Sequence, residues 1–153
     1  MIITTEQIKK LREATGGGVM DCKKALEEAR GDMKKAELLL KKWGVEKSEK
    51  KVGRETKAGI VDSYIHAGGK VGVLLEIVCE TDFVARTDDF KNLAHEICLQ
   101  IASMNPKDVQ ALLKQEYIRD QSLVIGDLVK QTIGKLGENI QIKRFTRYQL
   151  GER

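Results

Sequence analysis

The chain has little that would place it in a membrane, in a disulfide framework or on a nucleic acid. Its longest apolar region, Val71 to Cys79, is interrupted by Gly72 and Glu76 and falls far short of the roughly 20 residues that cross a bilayer. The opening residues, Met-Ile-Ile-Thr-Thr-Glu, lack the basic and apolar regions of a secretory signal. A cytoplasmic location without a membrane partner is the expectation. There are three cysteines, Cys22, Cys79 and Cys98, far apart and set inside apolar patterns, so they read as small buried thiols and not as a disulfide framework. Aromatic residues make up only 5% of the chain, and 27 basic residues against 23 acidic ones leave a net charge of +4. A mild excess with few rings to stack on bases argues against direct nucleic-acid binding.

Groups for metal binding or bond chemistry are similarly scarce. His95 and Cys98 have the i, i+3 spacing of a helical ligand pair, but a zinc site needs three or four ligands. Only His66 and Cys79 could complete it, and nothing in the pattern brings them there. Cys79, His95 and Asp82 could be written as a nucleophilic set, yet Cys79 alternates with the apolar face of a strand and nothing points to a depressed thiol pKa. No metal, no cofactor and no bond-making enzyme is expected. The densest basic segment, Lys41 to Lys57, interleaves seven Lys or Arg with Glu46, Glu49 and Glu55 and reads as a solvated linker.

What remains is ordinary for a globular chain: 153 residues, 41% hydrophobic and 33% charged, enough for one core or two small ones. The first part reads as three short helices. Thr4 and Gln7 form a capping box ahead of Ile8 and Leu11, and Gly16-Gly17-Gly18 breaks the chain. The second helix places Cys22, Ala25, Leu26 and Ala29 on one face and stops at Gly31. The third starts at Asp32, carries Met33, Ala36, Leu40 and Trp43 inward, and ends at Gly44. Apolar periodicity then vanishes until Gly59, which places a domain boundary in the stretch between.

Beyond Gly59 the period changes from 3.6 to 2. Ile60 to Ala67 and Lys70 to Thr81 are strand-like runs joined by Gly68-Gly69, a connection that favours a primed hairpin turn. Val71, Val73, Leu75, Ile77 and Cys79 share one face; Leu74 and Val78 opposite suggest that both faces are partly covered. A helix from about Asp88 to Met104 follows, with Phe90, Leu93, Ala94, Ile97, Ile101 and Met104 in one stripe, ended by Asn105-Pro106. Residues 107 to 123 have no clear pattern. Ile125, Leu128, Val129, Thr132, Ile133 and Leu136 define a last helix closed by Gly137. Asn139 to Leu150, with Ile140, Ile142, Tyr148 and Leu150, reads as a strand. The fold class is α+β: three N-terminal helices (1–44), a charged linker (45–58), then a small antiparallel sheet packed with helices (59–153).

Glu80-Thr-Asp-Phe-Val84 stands where the apolar strand gives way to a helix. A bulky aromatic is unusual at such a corner, where Asp82 is the residue suited to a helix start. Phe83 either plugs its own core, as the general burial of Phe favours, or is held out for a partner.

Three motifs in order carry a resemblance. Ile8-Lys-Lys-Leu-Arg-Glu-Ala-Thr-Gly-Gly-Gly-Val-Met-Asp-Cys-Lys-Lys-Ala-Leu26 with Ala29-Arg-Gly-Asp32, then Glu80-Thr-Asp-Phe-Val-Ala-Arg86, then Gly137-Glu-Asn-Ile-Gln-Ile-Lys-Arg144 closely resemble bacterial elongation factor Ts in its short, single-module form. The resemblance implies a guanine nucleotide exchange factor for elongation factor Tu, acting on both its GDP-bound and nucleotide-free forms and performing no bond chemistry of its own. It implies a ubiquitin-associated-like N-terminal domain that docks through Arg12, Val19 and Met20, with Val19 standing where many members have Met. Thr81, Asp82, Phe83 and Val84 would form the turn that dislocates the partner's magnesium, with Phe83 as a wedge between helices. Between Pro106 and Ile125 there are too few residues for the helical hairpin of long members, and a homodimer with an isologous contact is expected. The rival readings are a binding module that uses only the N-terminal helices, a nucleic-acid chaperone using Lys41 to Lys57, whose binding would depend steeply on salt, and, least supported, a hydrolase.

Overall fold

The computed structural model describes residues 2–152. Three helices, α1 (Thr5–Thr15), α2 (Val19–Glu28) and α3 (Met33–Glu49), open the chain. Thr4 and Gln7 make the reciprocal capping box, and Gly16 closes α1 in the left-handed conformation at φ 69°. Asp32 caps α3 by accepting the Lys35 N–H. Leu11, Cys22, Ala25, Leu26, Ala29 and Ala36 form a small core of their own, flanked by Ile8, Met33, Leu40 and Trp43.

The expected end of the third helix at Gly44 is corrected: α3 runs on to Glu49, so the first five residues of the presumed linker are helical. A glycine inside a helix costs about 1 kcal/mol relative to alanine, and local sequence therefore reads it as a stop. Here it is the missing side chain of Gly134 that lets α7 (Ile125–Leu136) cross close to the Gly44 backbone of α3. Beyond Gly44, Ser48 is buried and its hydroxyl donates to the Val45 carbonyl.

The rest of the chain builds a larger core on a three-stranded antiparallel sheet of order β1 (Ala58–Ile65), β2 (Val71–Cys79) and β5 (Gln141–Gln149). The short α4 (Asp82–Ala85) follows β2, and α5 (Asp88–Met104) packs across β1 and β2. Phe90, Leu93, Ala94, Ile97 and Ile101 of α5 are buried as the stripe requires, together with Cys98 and Gln100; Met104 is exposed, not buried, at the end of the helix. The unreadable segment becomes α6 (Val109–Lys114), capped by Asp108, and a hairpin of β3 (Glu116–Tyr117) and β4 (Asp120–Val124). Gln100 holds this hairpin, donating to the Glu116 carbonyl and accepting the Ile118 N–H.

Three sheet expectations change. The β1–β2 turn is not a primed turn on Gly68-Gly69: the Gly69 N–H donates to the His66 carbonyl, centring the turn on Ala67-Gly68, with both glycines at positive φ. The outer face of the sheet is not covered by the described residues, since Val61, Ile65 and Leu74 stand exposed on it. In β5 the register shifts opposite Glu76/Ile77, pairing Ile142 with Ile77 but Arg144 with Glu76. That bulge inverts the alternation. Ile140 and Ile142 face the core before it; Phe145 packs on the core after it, and Tyr148 and Leu150 are exposed.

Candidate functional site

β2 delivers the chain to the site from inside the core. Cys79, its last residue, is buried and its thiol donates to the Thr81 carbonyl at 3.2 Å. Burial, with a smaller push from the Glu138 carboxylate, raises the Cys79 pKa to about 11, which leaves a protonated structural thiol and no nucleophile. His95 meets Tyr64 edge-on instead, and Cys98 lies in the core. Among the described residues no three His, Cys, Asp or Glu side chains gather as a metal site.

Thr81, not Asp82, is the N-cap of α4: its Oγ1 accepts the Val84 N–H at 3.3 Å. Asp82 occupies the first helical position, where a negative charge suits the helix dipole. One turn of helix cannot bury all its residues. Val84 and Ala85 enter the core, each 5% exposed, so Asp82 and Phe83 project outward and Phe83 is 82% exposed. Of the two readings of Phe83, the plug of its own core is thus excluded. Val84 takes that place because it follows the cap at the inward position of the turn.

The turn is braced from a distant part of the chain. Glu138, directly after the left-handed Gly137 that closes α7, accepts the Glu80 N–H at 3.2 Å and the Thr81 N–H at 2.9 Å through Oε1, and the Thr81 hydroxyl at 2.7 Å through Oε2. Glu80 answers in the other direction. Its Oε2 accepts the Asn139 N–H at 2.9 Å and its Oε1 pairs with Arg54 Nε at 2.7 Å. Asn139 Nδ2 then donates to the Arg54 carbonyl at 2.9 Å. Arg54 is therefore not simply a solvated charge in a linker.

Arg12, Val19 and Met20 lie around the Gly16–Gly18 loop. Val19 and Met20 are the first residues of α2 and are 48% and 73% exposed. Exposed Arg12 donates from Nε to the Gly17 carbonyl at 3.4 Å. The Lys135 side chain of α7 lies over Gly16 and pairs with Asp89 at the start of α5 at 3.0 Å. Sequence reasoning missed Glu138, Asn139 and Arg54 as parts of the site. The polar Glu138-Asn139 pair between two apolar elements was a weak signal, but its partners lie more than fifty residues away in sequence.

The site is thus a capped corner that projects one aromatic ring, with a second pair of exposed apolar side chains, Val19 and Met20, on the N-terminal helices. A family profile described as Elongation factor TS matches residues 80–153. Elongation factor Ts of Thermoanaerobacter sp. (strain X514) is 43% identical over 196 residues, covering 99% of this chain and 96% of the relative. The proteins of that name from Coprothermobacter proteolyticus and Thermotoga maritima are each 44% identical, over 99% of this chain and 100% and 98% of the relatives. The chain belongs to the elongation factor Ts family, and its role lies in translation elongation. Its 153 residues leave at least 43 of the 196 aligned positions in the Thermoanaerobacter comparison without a counterpart here.

Proposed function

We propose that this chain is a guanine nucleotide exchange factor for elongation factor Tu, acting in the cytoplasm without a cofactor and without making or breaking a covalent bond. Phe83 is the wedge that disturbs the partner's magnesium and phosphate site, Asp82 contacts the same surface, and Thr81 and Val84 hold the corner. Arg12, Val19 and Met20 dock the N-terminal unit, residues 1–44, on the partner, while residues 59–153 supply the core and the dimer contact. The observation that carries this reading is a large aromatic left 82% exposed on a turn whose neighbours are capped and buried.

Exchange follows from linkage. A factor that binds nucleotide-free partner better than GDP-bound partner lowers the affinity for GDP by the same ratio. Burying one Phe contributes roughly 1.5–3 kcal/mol, whereas moving a two-state population from 1:99 to 99:1 takes about 5.5 kcal/mol of differential affinity. The remainder comes from other contacts that differ between the two states, since equally good contacts add affinity without coupling.

The test is release of a fluorescent GDP from magnesium-loaded elongation factor Tu, with this protein and with its Phe83→Ala variant. The expected result is strong acceleration that largely disappears in the variant while affinity for nucleotide-free partner falls much less. No acceleration by the folded parent protein would leave a binding module in place of an exchange factor.

A further inference from the structure

We infer that Glu138 is a positioning residue for Phe83: its carboxylate fixes the orientation in which the ring is offered to the partner, an inference that rests on the exchange reading above. Three donors from two consecutive residues converge on this one side chain. The Thr81 hydroxyl is used twice. It has a single proton and donates it to Glu138 Oε2, which turns its lone pairs toward the Val84 N–H. A relay therefore runs from the Val84 amide through Thr81 to Glu138, and Phe83 lies inside the loop that it closes. Val84 is buried on one side of the ring and Thr81 is clamped on the other.

The clamp is anchored at its far end as well. Glu138 and Asn139 connect α7 to β5, and Glu80 at the end of β2 holds this connection through the Asn139 N–H. Each of the two chain segments thus gives a carboxylate to the backbone of the other, so neither shifts without breaking bonds at both. Gly134 of the same α7 lies against Gly44 of α3, which refers the orientation of the corner to the helix that carries the N-terminal unit. A ring fixed in direction loses less conformational freedom on insertion than one on a loose turn.

The experiment measures fluorescent GDP release from magnesium-loaded elongation factor Tu at increasing concentrations of the parent chain, Glu138→Ala, Glu138→Gln, Phe83→Ala and the double variant Phe83→Ala/Glu138→Ala. Glu138→Ala should lower the rate at saturation about tenfold and leave the half-saturating concentration within about twofold, because docking through Arg12, Val19 and Met20 is intact. Glu138→Gln, which keeps an acceptor oxygen for the two backbone N–H groups, should recover much of the rate. In the Phe83→Ala background Glu138→Ala should cost nothing further, since both act through one ring. A parent-like rate in Glu138→Ala overturns the inference, and so does full additivity in the double variant. Absence of release by the parent chain overturns the exchange reading and this inference with it; release by the parent chain that Glu138→Ala leaves at the parent rate overturns this inference alone. Should Glu138→Ala fail to fold, Thr81→Val against Thr81→Ser breaks the same relay, and equal rates for those two variants would overturn it.

Discussion

Gly44 and Gly134 lie backbone against backbone where α3 crosses α7, and the contact is one-sided: a Cβ on Gly134 would overlap the carbonyl group and Cα of Gly44, whereas a Cβ on Gly44 would meet nothing within 4 Å. Both glycines are inside helices, so alanine gains helix propensity at either position, up to about 1 kcal/mol. At Gly44 nothing opposes that gain. At Gly134 the obstacle is backbone, which cannot swing aside as a side chain can, and overpacking costs about 1–3 kcal/mol. Urea unfolding should therefore show Gly44→Ala more stable than the parent and Gly134→Ala less stable. A Gly134→Ala chain as stable as Gly44→Ala would refute the close crossing.

Phe83 and Thr81 separate projection from support. Because the Phe83 side chain is exposed, Phe83→Ala should leave stability within about 0.5 kcal/mol of the parent. Thr81→Ala removes the N-cap of α4 and one donor to Glu138, and loss of such a cap costs about 0.5–2 kcal/mol. Thermal melting of the two variants reads this directly. A larger loss from Phe83→Ala than from Thr81→Ala would mean that the ring supports the fold.

We propose that the outer face of the sheet is the dimer contact. Val61, Ile65 and Leu74 are exposed on it, 66%, 64% and 49%, and Tyr148 is exposed beside them on β5. A second copy applied about a two-fold axis would bury the same residues on both chains. Leu74→Lys should convert the dimer to a monomer in sedimentation equilibrium, with an unchanged helix content, because Leu74 lies outside the buried cluster. A parent chain that sediments as a monomer would remove the homodimer from the reading.

Alkaline pH should destabilise the fold through its thiols. Burial raises the pKa of Cys79 from 9.0 to about 11 and that of Cys98 from 9.0 to about 12. The folded chain thus holds these protons more tightly than the unfolded one. Their contribution is fully present below pH 9.0, where both states are protonated, and is lost as pH rises through the folded values. Urea midpoints should fall with increasing pH above 9.0, and the slope should be shallower in Cys98→Ala. Tyr117, raised to about 12 first by burial and then by Glu96, adds to the loss at the upper end. A midpoint flat across this range would contradict the burial of these groups.

Much of the framework was legible because its signals are local. The capping box at Thr4 and Gln7, the stripe of α5 and the Gly137 stop of α7 each arise from residues within a few turns of one another, and each is observed. The errors lie where a distant contact outweighs a local preference. Gly44 reads as a helix end until α7 is laid against it, and Tyr148 falls in step with Ile140 and Ile142 until the β5 bulge inverts the alternation. The 107–123 segment is too short and polar to show a period, and its hairpin is held in part by Gln100 from α5.

The amino-acid order by itself determined most of the elements and their types, the apolar faces of α2, β2 and α5, and the three motifs that mark the family, because periodicity, caps and turn residues act over a few positions of chain. Only the tertiary structure decided that Phe83 faces outward and that Glu138 holds its corner. Both depend on which residues of the turn the core admits, Val84 and Ala85 in this fold, and on the docking of α7 beside the end of β2, which brings together groups separated by more than fifty residues.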